Sequence, residues 1–341
     1  MTPSGPDIAG SGTRTKLLRF FKAPEWGLVA GILAILAAIF FLEPRHAFFQ
    51  TYSLQTLLHS VSRYGVLAIG AALVIIAGGI DLSTGAVVAL ASVVSVKLLT
   101  EWLRPGSNPG TPPSAGIIYL AIGITLMMGL AIGLFHAMLI NRLRLPPFIA
   151  TLATMAGLRS VASVVSNNHT ITVSYDAYRI PGSNPWVTLA IFAVLAAIMS
   201  IMMGSTVLGR HIYAMGGNEV AARLSGLRTR RLKAIVYGLS GLFSALGGML
   251  FTGYTGQADS KLGVGYELIA ITAAVVGGCS LSGGIGSIRG TVLGLLLTQI
   301  VIKGTGIVVQ GVDSTQIEGL VLGTVVILAV AFNQQFRVKR E

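Results

Sequence analysis

The segment GGIDLSTG places an isolated carboxylate between two long apolar runs, and it is a candidate site for chemistry within a membrane. An ionised carboxylate at the bilayer centre costs at least ~2.5–3.5 kcal/mol, so Asp81 must face water, a partner or exposed backbone donors. Gly78 and Gly79 can unwind the end of the preceding helix, and Ser83 is placed to cap the next one. Two interpretations stay open: Asp81 lines a pore or gate with these neighbours, or it only caps a helix at a cytoplasmic turn.

A second glycine-rich segment, GGCSLSGGIGS, lies between two later apolar runs. So many glycines predict a backbone that bends sharply or approaches another segment closely. The phosphate-binding pattern GxxxxGK[ST] occurs nowhere in the sequence, so no nucleotide site is predicted. The gate candidates in this segment are Gly277, Gly278, Ser280, Gly283 and Gly284. Tight helix packing is the alternative explanation.

The two glycine-rich segments also resemble each other. GGIDLSTG and GGCSLSGG agree at most positions, and each follows an apolar run rich in small residues. Transporters are often built from internal repeats with broken helices at corresponding positions in the two halves. The similarity predicts such a repeat, with a chance match of glycine-rich turns as the alternative.

A few charged side chains fall within the apolar runs. Arg63, Glu267 and Lys303 lie near predicted span ends, from which long side chains can reach the membrane surface. Arg159 lies deeper and is expected to face the interior of the helix bundle, so it joins the pore or gate candidates. The sequence shows no ladder of acids or histidines on one helix, which argues against a proton relay.

The polar stretch 205–232 predicts a short helix of its own. Asn218 is a good N-cap, Gly226 suits the position just after a helix, and the seven residues EVAARLS lie between them. Glu219 and Arg223 form an i,i+4 pair in the favourable order. A helix of about two turns is not stable alone in water, so it needs a surface on which to dock.

Two docking surfaces are open to this helix. Val220 and Leu224 share one apolar face, with Leu227 just beyond it, and this face could contact a cytosolic partner. The membrane surface is the alternative, through the basic residues Arg228, Arg230, Arg231 and Lys233. The apolar face is too small to anchor the helix in lipid, which favours the partner.

The composition predicts a membrane protein. The chain has 53% hydrophobic and 11% charged residues, whereas soluble domains carry about 25% charged residues. The 43 glycines suit close contact between helices in a bilayer. The single cysteine excludes an internal disulfide framework, and the five histidines form no candidate metal cluster in the sequence.

Apolar runs of nearly 20 residues predict about ten membrane spans in an all-α protein. They are 27–42, 57–77, 84–99, 116–140, 147–166, 186–204, 233–253, 263–279, 288–304 and 316–333. Lys and Arg concentrate on one side of these spans, which predicts cytoplasmic tails at 1–26 and 334–341 around a membrane domain at 27–333. The net charge of +12 is therefore a topology signal and does not predict nucleic-acid binding. We expect the first run to be an uncleaved span, because no small-residue cleavage site ends it.

Four motifs are specific in combination: ALVIIAGGIDLSTGAVVALAS, LPPFIATLATMAGLRS, GRHIYAMGGNEVAARLSGLRTRRLK and GVGYELIAITAAVVGGCSLSGGIGSIRGTVLG. Together they resemble the permease subunits of bacterial ATP-binding-cassette importers for monosaccharides such as ribose, galactose, xylose and galactofuranose, in the ribose and branched-chain amino acid permease superfamily. The resemblance extends from about residue 54 to 333. Thr84 and Cys279 depart mildly from the usual residues, and the loop 104–114 is long, which could alter contact with a binding protein.

The resemblance implies two permease subunits, two cytosolic ATPase subunits and a periplasmic sugar-binding protein, assembled at the bacterial inner membrane. ATP and Mg²⁺ would bind to the ATPase, with no cofactor and no enzymatic activity on this chain. The segment that resembles the family's coupling helix gives the candidate contacts with the ATPase: Asn218, Glu219, Ala221, Ala222, Leu224, Ser225 and Gly226.

Two other classes of protein also place helices in a membrane. An ion-coupled secondary transporter also has many spans, but it needs an ion site within the membrane, and the acids here lie mostly at span edges. A membrane-embedded enzyme needs clustered nucleophiles, acids, bases or metal ligands, which the sequence does not provide. The sequence identifies neither the sugar nor whether the two permeases are identical.

Overall fold

The computed structural model describes residues 25–106, 111–308, 319, 320, 322–324 and 327. Most of the predicted span 316–333, nearly all of the tail 1–26 and the whole tail 334–341 lie outside these residues. The regular secondary structure of these residues is helical apart from one pair of two-residue strands. This architecture agrees with the predicted all-α class.

The helices follow one another with short connections. They are α1 (Glu25–Leu42), α2 (Thr51–Ile76), α3 (Thr84–Lys97), α4 (Ala115–Arg142), α5 (Pro147–Val165), α6 (Asp176–Ser183), α7 (Pro185–Ser205), α8 (Val207–Gly217), α9 (Glu219–Leu224), α10 (Thr229–Thr255), α11 (Tyr266–Val276) and α12 (Ile288–Val308). A 3-10 turn, Ala47–Phe49, precedes α2, and a π turn, Leu98–Trp102, continues α3. Strands β1 (Ile171–Thr172) and β2 (Gln257–Ala258) pair antiparallel.

Seven of the described helices are long and apolar enough to cross a membrane: α2, α3 with its π turn, α4, α5, α7, α10 and α12. Helices α1 and α11 are apolar but shorter. The predicted boundaries differ most at α2, which begins at Thr51, and at α11, which is only 11 residues long. Helix α11 is short because Gly265, with φ of 83°, precedes it and Gly278, with φ of 90°, follows it.

Helices α2, α3 and α10 form the centre of the bundle. The most apolar window of α2 is 89% buried, whereas the window of α5 is 17% buried. The corresponding windows of α4 and α7 are 28% and 22% buried, so these helices are peripheral like α5. The peripheral helices therefore present apolar faces that lipid or another subunit must cover.

Glycines bring α4 and α10 into backbone contact. A Cβ atom on Gly133 would lie 2.0 Å from the carbonyl oxygen of Tyr237. A Cβ atom on Gly241 would lie 2.2 Å from the carbonyl oxygen of Gly129. This contact explains part of the high glycine content, because only glycine permits such an approach between helices.

Strand β2 directly follows the C-terminal end of α10, and its pairing with β1 holds the loop that begins there. The hydroxyl of Thr170 donates to Asp259 Oδ2 at 2.7 Å, and the backbone N–H of Lys261 donates to Oδ1 at 2.7 Å. These hydrogen bonds hold the pKa of Asp259 below its usual value, because they stabilise the charged carboxylate.

Candidate coupling and gating site

Asp81 lies in the turn between α2 and α3, with only 3% of its surface exposed. Its Oδ1 accepts hydrogen bonds from the Ser83 N–H at 2.9 Å and the Ser83 hydroxyl at 2.6 Å. Its Oδ2 accepts a hydrogen bond from the hydroxyl of Ser240, on α10, at 2.7 Å. Three donors therefore satisfy a buried carboxylate, and the side chain ties the turn to the centre of the bundle.

The surroundings of Asp81 correct one sequence prediction. Ser83 makes no side-chain cap hydrogen bond at the start of α3, because its hydroxyl donates to Asp81 instead. Thr151 on α5 also holds this turn, since its hydroxyl accepts the N–H of Leu82 at 3.2 Å. Sequence reasoning missed both Ser240 and Thr151, whose hydroxyls within apolar spans were the available signal. A gating role for Asp81 stays a prediction.

The second glycine-rich turn follows α11 and ends the helix in the same way as the first. The amides of Gly78 and Gly278 each donate to the carbonyl three residues back, and those of Gly79 and Cys279 to the carbonyl five residues back. Gly78 and Gly278 have φ of 82° and 90°. The same pattern ends α9 at Gly226 and is common at helix ends, and it pairs Gly78 with Gly278, one residue later than the sequence match suggests. The internal repeat therefore stays a prediction.

The two turns differ after their first residues. Ser280 is 7% exposed, and its hydroxyl accepts the N–H of Ser282 at 3.3 Å, much as Asp81 accepts from Ser83. Gly277 caps the end of α11 and packs against Gly290, whose carbonyl oxygen would lie 2.4 Å from an added Cβ atom. The second turn thus contains a serine hydroxyl where the first contains a carboxylate, and it folds back on itself through the Ser280 N–H, which donates to the carbonyl of Ile285 at 3.0 Å.

Three chain segments meet with almost no side chain between them, and we call their contact the glycine junction: Ile76, Gly78, Gly216, Gly283 and Gly284. The N–H of Gly284 donates to the carbonyl oxygen of Ile76 at 2.9 Å. A Cβ atom on Gly216 would lie 1.9 Å from that same oxygen, and one on Gly283 would lie 2.7 Å from the Cα of Gly78. The ends of α2 and α8 therefore contact the second glycine turn directly through their backbones.

The glycine junction continues into α8 and α9. The hydroxyl of Tyr213, on α8, donates to the carbonyl oxygen of Gly286 at 2.8 Å. Burial raises the pKa of Tyr213, so this hydroxyl stays protonated and remains a donor. Asn218, the N-cap of α9, directly follows α8. The sequence predicted both glycine turns but not their contact with the end of α8.

Helix α9 has the caps that the sequence predicted. Asn218 Oδ1 accepts the N–H of Ala221 at 2.9 Å. Gly226 has φ of 85°, and its N–H donates to the carbonyl of Arg223 at 3.0 Å. The polar stretch therefore contains the predicted short helix, together with α8, which the sequence did not predict.

The two faces of α9 have different environments. Leu224 and Val220 are 83% and 58% exposed, and Ser225 also faces outward. Ala222 is 6% exposed and packs in the core of this chain, so the prediction that it approaches a partner directly is wrong. The carboxylate of Glu219 lies 2.8 Å from Lys233 Nζ, across the loop rather than along the helix. Ala222 anchors α9, and the outward face is free to contact a partner.

Arg159 is half-buried, and its Nη1 donates to the carbonyl of Ser260 at 3.0 Å, so it ties α5 to the loop after α10. Arg63 was expected to reach the membrane surface, but its side chain is buried in the bundle. It is 4% exposed, with its guanidinium carbon 3.4 Å from the ring centroid of Tyr254. The aromatic ring offers a cation–π contact that replaces water.

Lys303 and Glu267 are both partly buried. The ammonium of Lys303 donates to the carbonyl of Ser53 and the hydroxyl of Thr56, both on α2. Glu267 is half-buried in the first turn of α11. The expectation that these two side chains reach the membrane surface stays a prediction. Within the described residues, no group of three or more His, Cys, Asp or Glu could hold a metal ion.

The fold and the site define a class of protein. Seven of the described helices are long and apolar enough to cross a membrane, which defines a multi-pass helical membrane protein. A family model described as the permease component of the branched-chain amino acid transport system matches residues 53–330. The chain belongs to this family.

Curated relatives match this chain over most of their length. The ribose import permease protein of Bacillus subtilis is 34% identical over 316 residues, covering 91% of this chain and 92% of the relative. The galactose/methyl galactoside import permease protein of Escherichia coli is 34% identical over 321 residues, covering 91% and 94%. The ribose import permease protein of Haemophilus influenzae is 32% identical over 275 residues, covering 78% and 80%. No solved structure matches this chain.

Proposed function

We propose that this chain is the membrane-spanning permease subunit of an ATP-binding-cassette importer and carries a monosaccharide across the bacterial inner membrane. The observation that carries the proposal is the capped, outward-facing helix α9 in a chain whose relatives are ribose and galactose import permeases. The sequence has no phosphate-binding loop, so a separate cytosolic ATPase subunit would bind ATP and Mg²⁺. The chain itself acts as a transport subunit and not as an enzyme.

The topology that fits this role has about ten spans, including 316–333, with both termini in the cytoplasm. The connection from α7 to α10, which contains α8 and α9, then faces the cytoplasm. Arg228, Arg230 and Arg231 follow α9, which agrees with the excess of basic residues on the cytoplasmic side of membrane proteins.

The outward face of α9 would dock on the ATPase. Val220 and Leu224 supply exposed apolar surface, and Ala221 and Ser225 are small enough to let the partner backbone approach. Ala222 and the Glu219–Lys233 ion pair hold the helix to the permease, so that a push on the exposed face moves α9 and α8 together. Binding and hydrolysis of ATP would supply this movement.

The glycine junction would transmit that movement to both glycine turns. Gly216 at the end of α8 lies against Ile76 and Gly284 without side chains that could adjust to a displacement. Close-packed contacts pass on strain because they have little free volume. The two turns, which contain Asp81 and Gly278, would then act as the gate.

A second permease subunit, identical or paralogous, would cover α5. The described surface of α5 exposes small residues on one side, and an added Cβ atom on Gly157 meets no atom within 4 Å. These residues are Ala153, Ala156, Gly157 and Ser160. Small residues are the usual means of bringing two membrane helices together. The sugar would pass beside this interface after delivery by a periplasmic binding protein at the outer surface, which includes the loop 104–114.

Uptake into proteoliposomes tests the proposal against ion-coupled transport. The permease and its ATPase are reconstituted, with binding protein and labelled ribose or galactose outside and ATP enclosed. Uptake should continue when ionophores collapse all ion gradients and should stop when ATP is replaced by ADP. An ATPase that cannot hydrolyse ATP is the matched control. Uptake that follows an ion gradient without ATP would overturn the proposal.

A further inference from the structure

A basic cleft of about 950 Å³ opens beside α9, between the α4–α5 loop and the start of α10. Its charged lining is almost entirely cationic: Arg144, Arg223, Arg228, Arg230, Arg231 and Lys233. The one acid in the lining, Glu219, is already paired with Lys233 at 2.8 Å. The cleft therefore carries a large uncompensated positive charge.

This positive charge lies at the N-terminal end of α10, where positive charge is unfavourable for a helix. Thr229 begins α10, whose first turn contains no acidic residue and whose N-cap, Arg228, makes no side-chain cap hydrogen bond. The start of a helix carries a partial positive charge from its unpaired backbone N–H groups. Arg230 and Arg231 add full positive charges at the same end, so a bound anion would stabilise this helix start.

The cleft lies where long apolar helices leave the membrane. Helix α4 ends at Arg142 and α5 begins at Pro147, next to the start of α10. Leu143 and Phe148 are the chain neighbours of the lining residues Arg144 and Pro147, and they are 63% and 48% exposed. An apolar surface that adjoins a cationic cleft at a membrane boundary fits a lipid better than an acidic protein surface.

We propose that this cleft binds the phosphate of an anionic phospholipid, with the acyl chains lying along Leu143 and Phe148. The arginine side chains contact the phosphate, since a guanidinium donates charge-assisted hydrogen bonds to phosphate oxygens. Only the assignment of the cleft to the cytoplasmic leaflet rests on the proposed function. A lipid bound there stabilises the base of α9 while leaving the Val220 and Leu224 face free.

Lipid binding can be measured on the purified full-length chain by native mass spectrometry. The probes are a phosphatidylglycerol and a phosphatidylcholine with the same acyl chains. The test variant combines Arg228→Gln, Arg230→Gln and Arg231→Gln. The matched control combines Arg45→Gln, Arg210→Gln and Arg289→Gln, which removes three exposed charges outside the cleft. Each basic residue near a membrane contributes about fivefold to anionic lipid affinity, so the test variant should bind phosphatidylglycerol about 100-fold more weakly.

The control variant should keep wild-type preference for phosphatidylglycerol over phosphatidylcholine. Equal loss in both triple variants, or no loss in either, would overturn the proposal. Displacement of phosphatidylglycerol by millimolar inorganic phosphate would assign the cleft to free phosphate and overturn the lipid assignment. Unchanged lipid binding with lost ATPase co-purification would make the cleft a protein-docking surface.

A folding defect and a transport defect can each be distinguished from a loss of lipid binding. If the triple variant does not elute as a folded monodisperse protein, Arg230→Gln alone should weaken phosphatidylglycerol binding about fivefold. Unchanged affinity in that variant would overturn the proposal. Because the measurement needs neither ATP nor sugar, its failure leaves the transport proposal intact, and failure of ATP-driven uptake leaves the lipid result intact.

Discussion

Replacing Gly216 with alanine should weaken the transmission of movement from α9 to the two glycine turns. Gly216 lies in α8 with an ordinary helical φ, so the substitution introduces no backbone strain, and in an exposed helix it would stabilise the protein by about 1 kcal/mol. Here the added Cβ atom would lie 1.9 Å from the carbonyl oxygen of Ile76 and 2.7 Å from the nitrogen of Gly284. The three backbones must separate by about 1 Å to remove this overlap.

That separation has a cost set by the contacts of the glycine junction. It breaks the 2.9 Å hydrogen bond from the N–H of Gly284 to Ile76, and leaving a buried backbone group unpaired costs about 1–3 kcal/mol. Overpacking adds about 1–3 kcal/mol. After the helix gain of about 1 kcal/mol is subtracted, we expect a net loss of about 1–5 kcal/mol, or roughly 2–10 °C in melting temperature.

Gly217→Ala is the matched control, because an added Cβ atom at that neighbouring position meets no atom within 4 Å. Both variants keep the outward face of α9, so both should co-purify with the ATPase. Gly216→Ala should lower sugar uptake per ATP hydrolysed, whereas Gly217→Ala should match the wild type. Equal melting temperatures and equal uptake in the two variants would refute the proposed transmission through the glycine junction.

Three further predictions concern other parts of the structure. Asp81→Ala should lower uptake with ATPase co-purification intact, because the hydroxyl of Ser240 loses its acceptor, and wild-type uptake would make Asp81 structural only. Gly284→Leu should reduce the yield of folded protein more than Gly278→Leu, since both need positive φ but only Gly284 meets backbone atoms, at 2.6 Å. Because the folded-state pKa of Asp259 is lowered, its stabilisation is complete above the normal carboxyl pKa and is lost as pH falls through the folded value. Asp259→Asn should therefore flatten the acid side of the melting profile, and an unchanged profile would contradict this.

The features that sequence predicted best depend on local chemistry. The apolar runs predicted the seven long apolar helices of the described chain because a bilayer fixes their length. The caps of α9 followed from Asn218 and Gly226, whose hydrogen bonds lie within one turn of the chain. The glycine-rich turns were visible for the same reason, since Gly78 and Gly278 end their helices with local hydrogen bonds.

The features that sequence could not predict depend on contacts between distant residues. Ser240 lies 159 positions from Asp81, and nothing local to either residue indicates the hydrogen bond between them. Glu219 pairs with Lys233 rather than with Arg223, which is closer in sequence, because the loop folds back onto the start of α10. Close packing of the helices, and not the sequence near each residue, determines these pairs.

Cross-linking from α9 to the ATPase tests the central claim most directly. The one cysteine of the chain, Cys279, is buried, so Leu224→Cys introduces an accessible thiol into an otherwise unreactive protein. In membranes that contain the full importer, Leu224→Cys should cross-link to the ATPase subunit, and Ala222→Cys, which faces inward, should not. Cross-linking from neither position, or from Ala222→Cys alone, would contradict the assignment of α9 as the coupling helix.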